Sequence, residues 1–178
     1  TLSSSEGIVD GEVTSKAENQ GTISGTSLKI SLIGDMHNGG VLNGCQQVEV
    51  VGTLLTNDGT VQSAIGDVVI MCKLLNNKDI KAPKGTVAIA SEEVTNAGNI
   101  GGQTVVVESP NAENSGKVGG GTVKLSGGVT NKKGGSVKAG KLELAGNKFK
   151  SEDGSTVNAG ELVWKVRELE NYGHMTIG

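Results

Sequence analysis

The residues of this chain that could do chemistry are few and scattered. There are two histidines, two cysteines and a dispersed set of carboxylates. His37 and His174 lie far apart in sequence, each beside turn-forming residues. Neither has a second His or a Cys at metal-ligand spacing, so the reading is a lone exposed His in a turn, with no zinc site. Cys45 and Cys72 lack any metal or redox spacing, and the sequence leaves open whether they pair. No Gly-x-Ser-x-Gly elbow supports Ser/His/Asp catalysis. Gly119-Gly120-Gly121 does not extend into the calcium-binding Gly-Gly-x-Gly-x-Asp repeat. The sequence therefore predicts no catalytic residue, no metal and no cofactor.

What the chain does contain is a repeat. Asn-x-Gly, one residue and an aliphatic recur as Asn19 to Ile23, Asn38 to Leu42 and Asn57 to Val61. The motif returns as Asn96 to Ile100 and Asn114 to Val118, and in part at Asn171-Tyr172-Gly173. Degenerate copies sit at Asn77, Asn131 and Ser151. The aliphatic column Ile23, Leu42, Val61, Ile80, Ile100, Val118, Val137, Val157, Ile177 steps by 18 to 20 residues. An alternating pair repeats in phase with it, from Leu28/Ile30 through Val48/Val50 and Val105/Val107 to Leu162/Trp164. A third column runs two residues ahead of each Asn, from Ala17 and Met36 to Phe149 and Leu169.

Period-2 alternation marks strands, and no window carries a sustained helical stripe. Three short strands per turn of about 19 residues describe an all-β parallel β-helix of about nine coils. The right-handed crossover bias favours right-handed winding. Columns stacked at the strand spacing would make a rod on the order of 40 Å long. The column Asn19, Asn38, Asn57, Asn77, Asn96, Asn114, Asn131, Asn171 reads as a structural corner ladder. Asn and Gly both accept the left-handed backbone region, and stacked amides can bond up the rod. Ligand or metal binding by that column is the competing reading and needs further assumptions.

The outward positions of the alternating strand run Lys29, Glu49, Val69, Ala88, Val106, Lys124, Glu143, Val163. Lys29 beside Glu49 and Lys124 beside Glu143 are surface pairs, not a carboxylate couple for acid/base work. In the middle coils Val51, Val69, Met71, Ala88, Ala90 and Val106 form an outward apolar strip. A plain sheet surface that tolerates Val, or one covered by another segment, accounts for the strip. If a partner binds, this is the place. Phe149, Trp164 and Tyr172 are the only aromatics. Phe149 and Trp164 fall in inward columns, where core filling or end-capping is expected.

Asn158-Ala159-Gly160-Glu161-Leu162 and the stretch from Thr130-Asn131 to Leu142-Glu143-Leu144 resemble repeats of filamentous haemagglutinins. These are bacterial exoproteins of the two-partner secretion class, and contact-dependent inhibition proteins share such repeats. The resemblance covers the chain from about Asn19 onward. It implies a β-helical shaft on the bacterial surface, secreted or displayed, that meets a protein or glycan of a host or neighbouring cell. A carbohydrate-active β-helix and an intracellular bactofilin-like polymer are the alternatives.

Bulk composition sets further bounds. Net charge is −3, from 16 basic and 19 acidic residues, which gives no footprint for nucleic acid. The longest apolar run, Val68 to Cys72, is five residues, far short of a membrane span. The chain opens and closes inside the repeat, with no initiator Met or signal-type stretch. The expectation is one β-helix domain over 1–178, cut from a longer protein, with 1–18 an atypical first coil or cap. End-to-end or lateral self-association is open to such a rod.

Overall fold

Alternating aliphatics give each strand one apolar face, and no single coil can bury that face alone. Stacking solves this. The computed structural model describes Leu2–Ser3 and residues 7–178, which form a parallel β-solenoid of about nine coils. The strands are β1 (Leu2–Ser3), β2 (Ile8–Val13), β3 (Lys16–Asn19), β4 (Thr22–Asn38) and β5 (Val41–Asn57). They continue as β6 (Thr60–Ser63), β7 (Asp67–Asn114), β8 (Lys117–Asn131), β9 (Ser136–Ser151), β10 (Thr156–Asn171) and β11 (His174–Ile177). Among the described residues no helix is long and apolar enough to cross a membrane.

Each coil has three paired stretches. β4 pairs in turn with β1, β2 and β3, through Ile23, Leu28 and Met36 among others. β5 stacks on β4 with the same columns: Leu42 on Ile23, Val48 on Leu28, Leu55 on Met36. Register shifts at Gly25/Ser27 and Leu32/Asp35 mark the corners between stretches. β7 is long because the chain stays extended through its corners over more than two coils.

The core is a stack of like on like. Val48, Val50, Val68, Ile70, Val87, Ile89, Val105, Val107, Val123 and Leu125 are all buried. Phe149 lies in the inward column between Val129 and Leu169 and is also buried. A narrow tube of this kind has little room for rings, which explains the aromatic poverty.

Two expectations need correcting, and a third resolves between its two alternatives. The motif corners are not left-handed: among the described residues no non-Gly residue has positive φ, and Gly21, Gly40, Gly59, Gly98 and Gly116 do not either. Glycine is needed there for space, because a Cβ at Gly40 would strike the Gly21 carbonyl oxygen, and one at Gly59 that of Gly40. Left-handed glycines lie at Gly127 and Gly146 (φ 100° and 99°) and at Gly134 and Gly154 (φ 82° and 76°), the last two in the longer corners. There Gly135 N–H donates to Lys132 O and Ser155 N–H to Glu152 O, closing tight turns whose third residue needs that freedom.

Second, Met175, not Ile177, stacks on Val157, because the last corner is as short as the first ones. Third, Trp164 stacks on Leu144 in the inward column yet is 56% exposed. Among the described residues only β11 continues beyond the last full coil, over Thr156 to Ala159. Trp164 therefore lies over the last full coil of the described residues, in the end-capping position of the two expected, and the ring does not fill the core.

Candidate functional site

The corner column is a continuous chain of amides. Asn19 Nδ2 donates to Asn38 Oδ1, and the same bond links Asn38 to Asn57, Asn57 to Asn77 and Asn77 to Asn96. Two more join Asn96 to Asn114 and Asn114 to Asn131, all at 2.7 to 2.9 Å. Each Nδ2 also donates to a backbone carbonyl of the next coil, such as Thr60 O from Asn38 and Lys117 O from Asn96. All seven side chains are buried, so every amide hydrogen bond here replaces one that water would otherwise supply.

The ladder stops short of Asn171. Ser151 occupies the intervening step, where its hydroxyl pairs with Ser155 Oγ at 2.7 Å, and Asn131 turns to Gly135 O and Thr156 O. Asn171 shares the column with Ser151 but is exposed.

The apolar strip lies on the outward face of the middle coils. Val51 stacks beside Met71 and Glu49 beside Val69. Val51, Val69, Ala88 and Val106 are half-buried by their neighbours in the sheet, while Met71 (43%) and Ala90 are exposed. Among the described residues no segment packs over the strip. One edge dips into a shallow depression of about 390 Å3 lined by Gly52, Met71, Ala90 and Pro110 among others. The strip is bounded by charge: Lys29 Nζ lies 3.8 Å from Glu49 Oε1, and Lys124 Nζ 3.1 Å from Glu143 Oε2.

Those cross-coil pairs form a network toward the C-terminal end. Lys124 and Lys141 beside Glu143 hold its carboxyl below the usual carboxylate range, the Lys124 hydrogen bond contributing most. Lys141 also reaches Glu161 at 3.3 Å, and that bond holds its ammonium above the ordinary lysine value. Lys148 sits between Glu168 and Glu170 and is raised in the same way, by Glu170 first. Carboxylates held ionised by two lysines are poor proton donors at neutral pH.

A second place was not read from the sequence. His37 Nε2 lies 2.9 Å from Asp58 Oδ2, and Nδ1 4.0 Å from Glu18 Oε1. With Lys16 and Asp35 they line a surface cleft of about 540 Å3. Glu18 and His37 each immediately precede a ladder Asn, so the columns carried the Glu18–His37 adjacency. Asp58 reaches back from the following corner, which column spacing does not reveal. His174 stands apart and bonds Thr176 Oγ1 within its own strand. Cys45 is exposed and Cys72 buried, both free. Burial pushes the Cys72 thiol up to about 11, opposed by a hydrogen bond with the Gly52 backbone.

These features define the class as a parallel β-solenoid with an amide-laddered corner. No family model, curated protein or solved structure matches the chain.

Proposed function

We propose that this chain is a non-catalytic structural and interaction shaft of an adhesin-type protein, secreted or displayed on a bacterial surface. The observation that carries the reading is the buried amide ladder running through seven consecutive coils beside unbroken aliphatic columns. Side chains at regular positions are committed to joining coil to coil, and outward carboxylates such as Glu143 and Glu170 are tied to a lysine of the neighbouring coil. The haemagglutinin-like repeat style supports the surface setting. The strip from Val51 through Met71 to Val106 is the place for a partner protein or glycan of a host or neighbouring cell, because desolvating its apolar area supplies binding energy.

A panel of acidic and neutral polysaccharides, assayed for cleavage and binding with and without calcium, tests the reading. The shaft reading expects no turnover, and turnover above background overturns it. Val69→Lys should fold like the parent and lose any binding that the parent shows. A second reading, a carbohydrate-active β-helix, has one observation in its favour. The Glu18–His37–Asp58 group with Asp35 lies in the 540 Å3 cleft. Turnover abolished by Asp58→Asn with folding intact would establish that reading instead.

A further inference from the structure

The outward face that carries the apolar strip is complementary to itself when reversed. Its middle column runs Lys29, Glu49, Val69, Ala88, Val106, Lys124, Glu143. Lys29 lies beside Glu49 and Lys124 beside Glu143, each pair spanning two neighbouring coils. Turned end for end about Ala88, the column sets Lys29 against Glu143, Glu49 against Lys124 and Val69 against Val106. Every charge meets its opposite and every apolar residue meets an apolar one. Each coil of this face has a described coil on both sides, from β2 below Lys29 to β10 above Glu143. The face is thus set inside the rod and not on a terminal coil.

We propose that the occupant of this face is a second copy of the same chain, docked face to face with its rod axis reversed. The proposal rests on the reading of the strip as an interaction surface and names its partner. The two-fold axis runs along the strand at Ala88, so each row of one sheet lies over the same row of the other. Ala88 is the smallest residue of the column and the one that meets itself, which lets the two sheets close together. Val69 and Val106 pack on either side of it. Further out, Lys29 and Glu49 meet Glu143 and Lys124 of the second copy in a square of alternating charge, and symmetry makes two such squares. The side chains of Lys29 and Lys124 are half exposed, and an ammonium with three donors can serve both copies.

The flanking rows set no like charges together: Asp67 falls opposite Thr104, Lys141 opposite Ser27 and Glu108 opposite Met71. A copy laid parallel and in register would instead put Lys29 on Lys29 and Glu49 on Glu49, so charge selects the reversed orientation. At ordinary strand dimensions the face covers about 550 Å2 on each copy. The total of about 1,100 Å2 is at the lower end for a specific interface, which makes the dimer reversible. Shafts projecting from two facing cells run in opposite directions, as this contact requires.

Sedimentation velocity over rising concentration, at low and high salt, tests the proposal. The chain should pass from monomer to dimer and stop there, because an isologous contact uses up its own face. Salt should weaken the dimer. Lys29→Glu combined with Glu49→Lys keeps the net charge and the pair within the rod but reverses its direction. Like charges then face each other, and this variant alone should need more than about tenfold more protein to dimerise. Lys124→Glu combined with Glu143→Lys should behave in the same way. An equimolar mixture of the two variants should dimerise as the parent does, because each reversed pair meets its complement in the other chain. Circular dichroism matching the parent shows that both variants are folded. A parent that stays monomeric, variants that associate like the parent, or a mixture that stays monomeric would each overturn the proposal. A monomeric parent whose binding of a polysaccharide is abolished by Val69→Lys would remove this occupant and keep the strip as an interaction surface.

Discussion

Asn96 shows how a single residue holds this fold. Its side chain takes a bond from Asn77 and gives bonds to Asn114 and to Lys117 O, all inside the corner. Replacing it by Leu leaves the Asn77 amide without its acceptor and the Asn114 oxygen without its donor. A buried polar group left unsatisfied costs about 1–3 kcal/mol, so Asn96→Leu should destabilise by roughly 3 kcal/mol. That corresponds to a melting temperature lower by about 10 °C for a chain of this size, read by circular dichroism. Cys72 gives a second test at this scale. Its folded thiol is raised from the ordinary 9.0 to about 11, so the folded state holds that proton more tightly than the unfolded state does. Stability contributed by the neutral thiol is complete below about pH 9 and is lost as pH rises toward 11. Cys72→Ala should remove this part of the alkaline loss. Thiol reagent at neutral pH should modify exposed Cys45 at once and buried Cys72 only on unfolding.

At the scale of elements, the corners decide which positions tolerate change. Gly127 and Gly146 stack in consecutive coils with φ near 100°, and a Cβ on Gly146 would lie 2.5 Å from Gly127 N. Gly146→Ala should therefore cost about 2–4 kcal/mol, combining left-handed strain with a backbone clash. Gly119→Ala is the control. Its φ is ordinary and its Cβ would meet only Lys138 O at 3.6 Å, so thermal melts should show no loss. The strands and their columns were legible because period-2 alternation and a near-constant step encode them directly: Leu28 under Val48, and Lys29 beside Glu49. The amide column was legible for the same reason. Corner conformation was not, since Asn-x-Gly suits both a left-handed turn and a crowded one, and only the stacked carbonyl of the coil below decides. The Met175 register was missed because the motif at Asn171 was matched to the longer corners. The His37–Asp58 contact was missed because it crosses between a strand end and the next corner. Exposure of Trp164 depends on what lies above the last coil, which the column of residues does not state.

For the whole molecule, one division underlies everything else: successive residues of a strand face either the tube or the solvent. The stacked aliphatic core and the outward strip proposed for a partner both follow from it. Val105 and Val106 are neighbours on β7, and the structure places the first in the core and the second outward, beside Lys124. Val105→Asp buries an unpaired carboxylate, a loss of several kcal/mol that should leave the chain largely unfolded or melting far below the parent. Val106→Asp puts the same charge in water next to a lysine and should stay within about 0.5 kcal/mol of the parent. Thermal and urea unfolding of the two variants side by side is the most direct measurement. A large loss for Val105→Asp with near-parental behaviour for Val106→Asp is the predicted result; equal effects, or the reverse order, would contradict it.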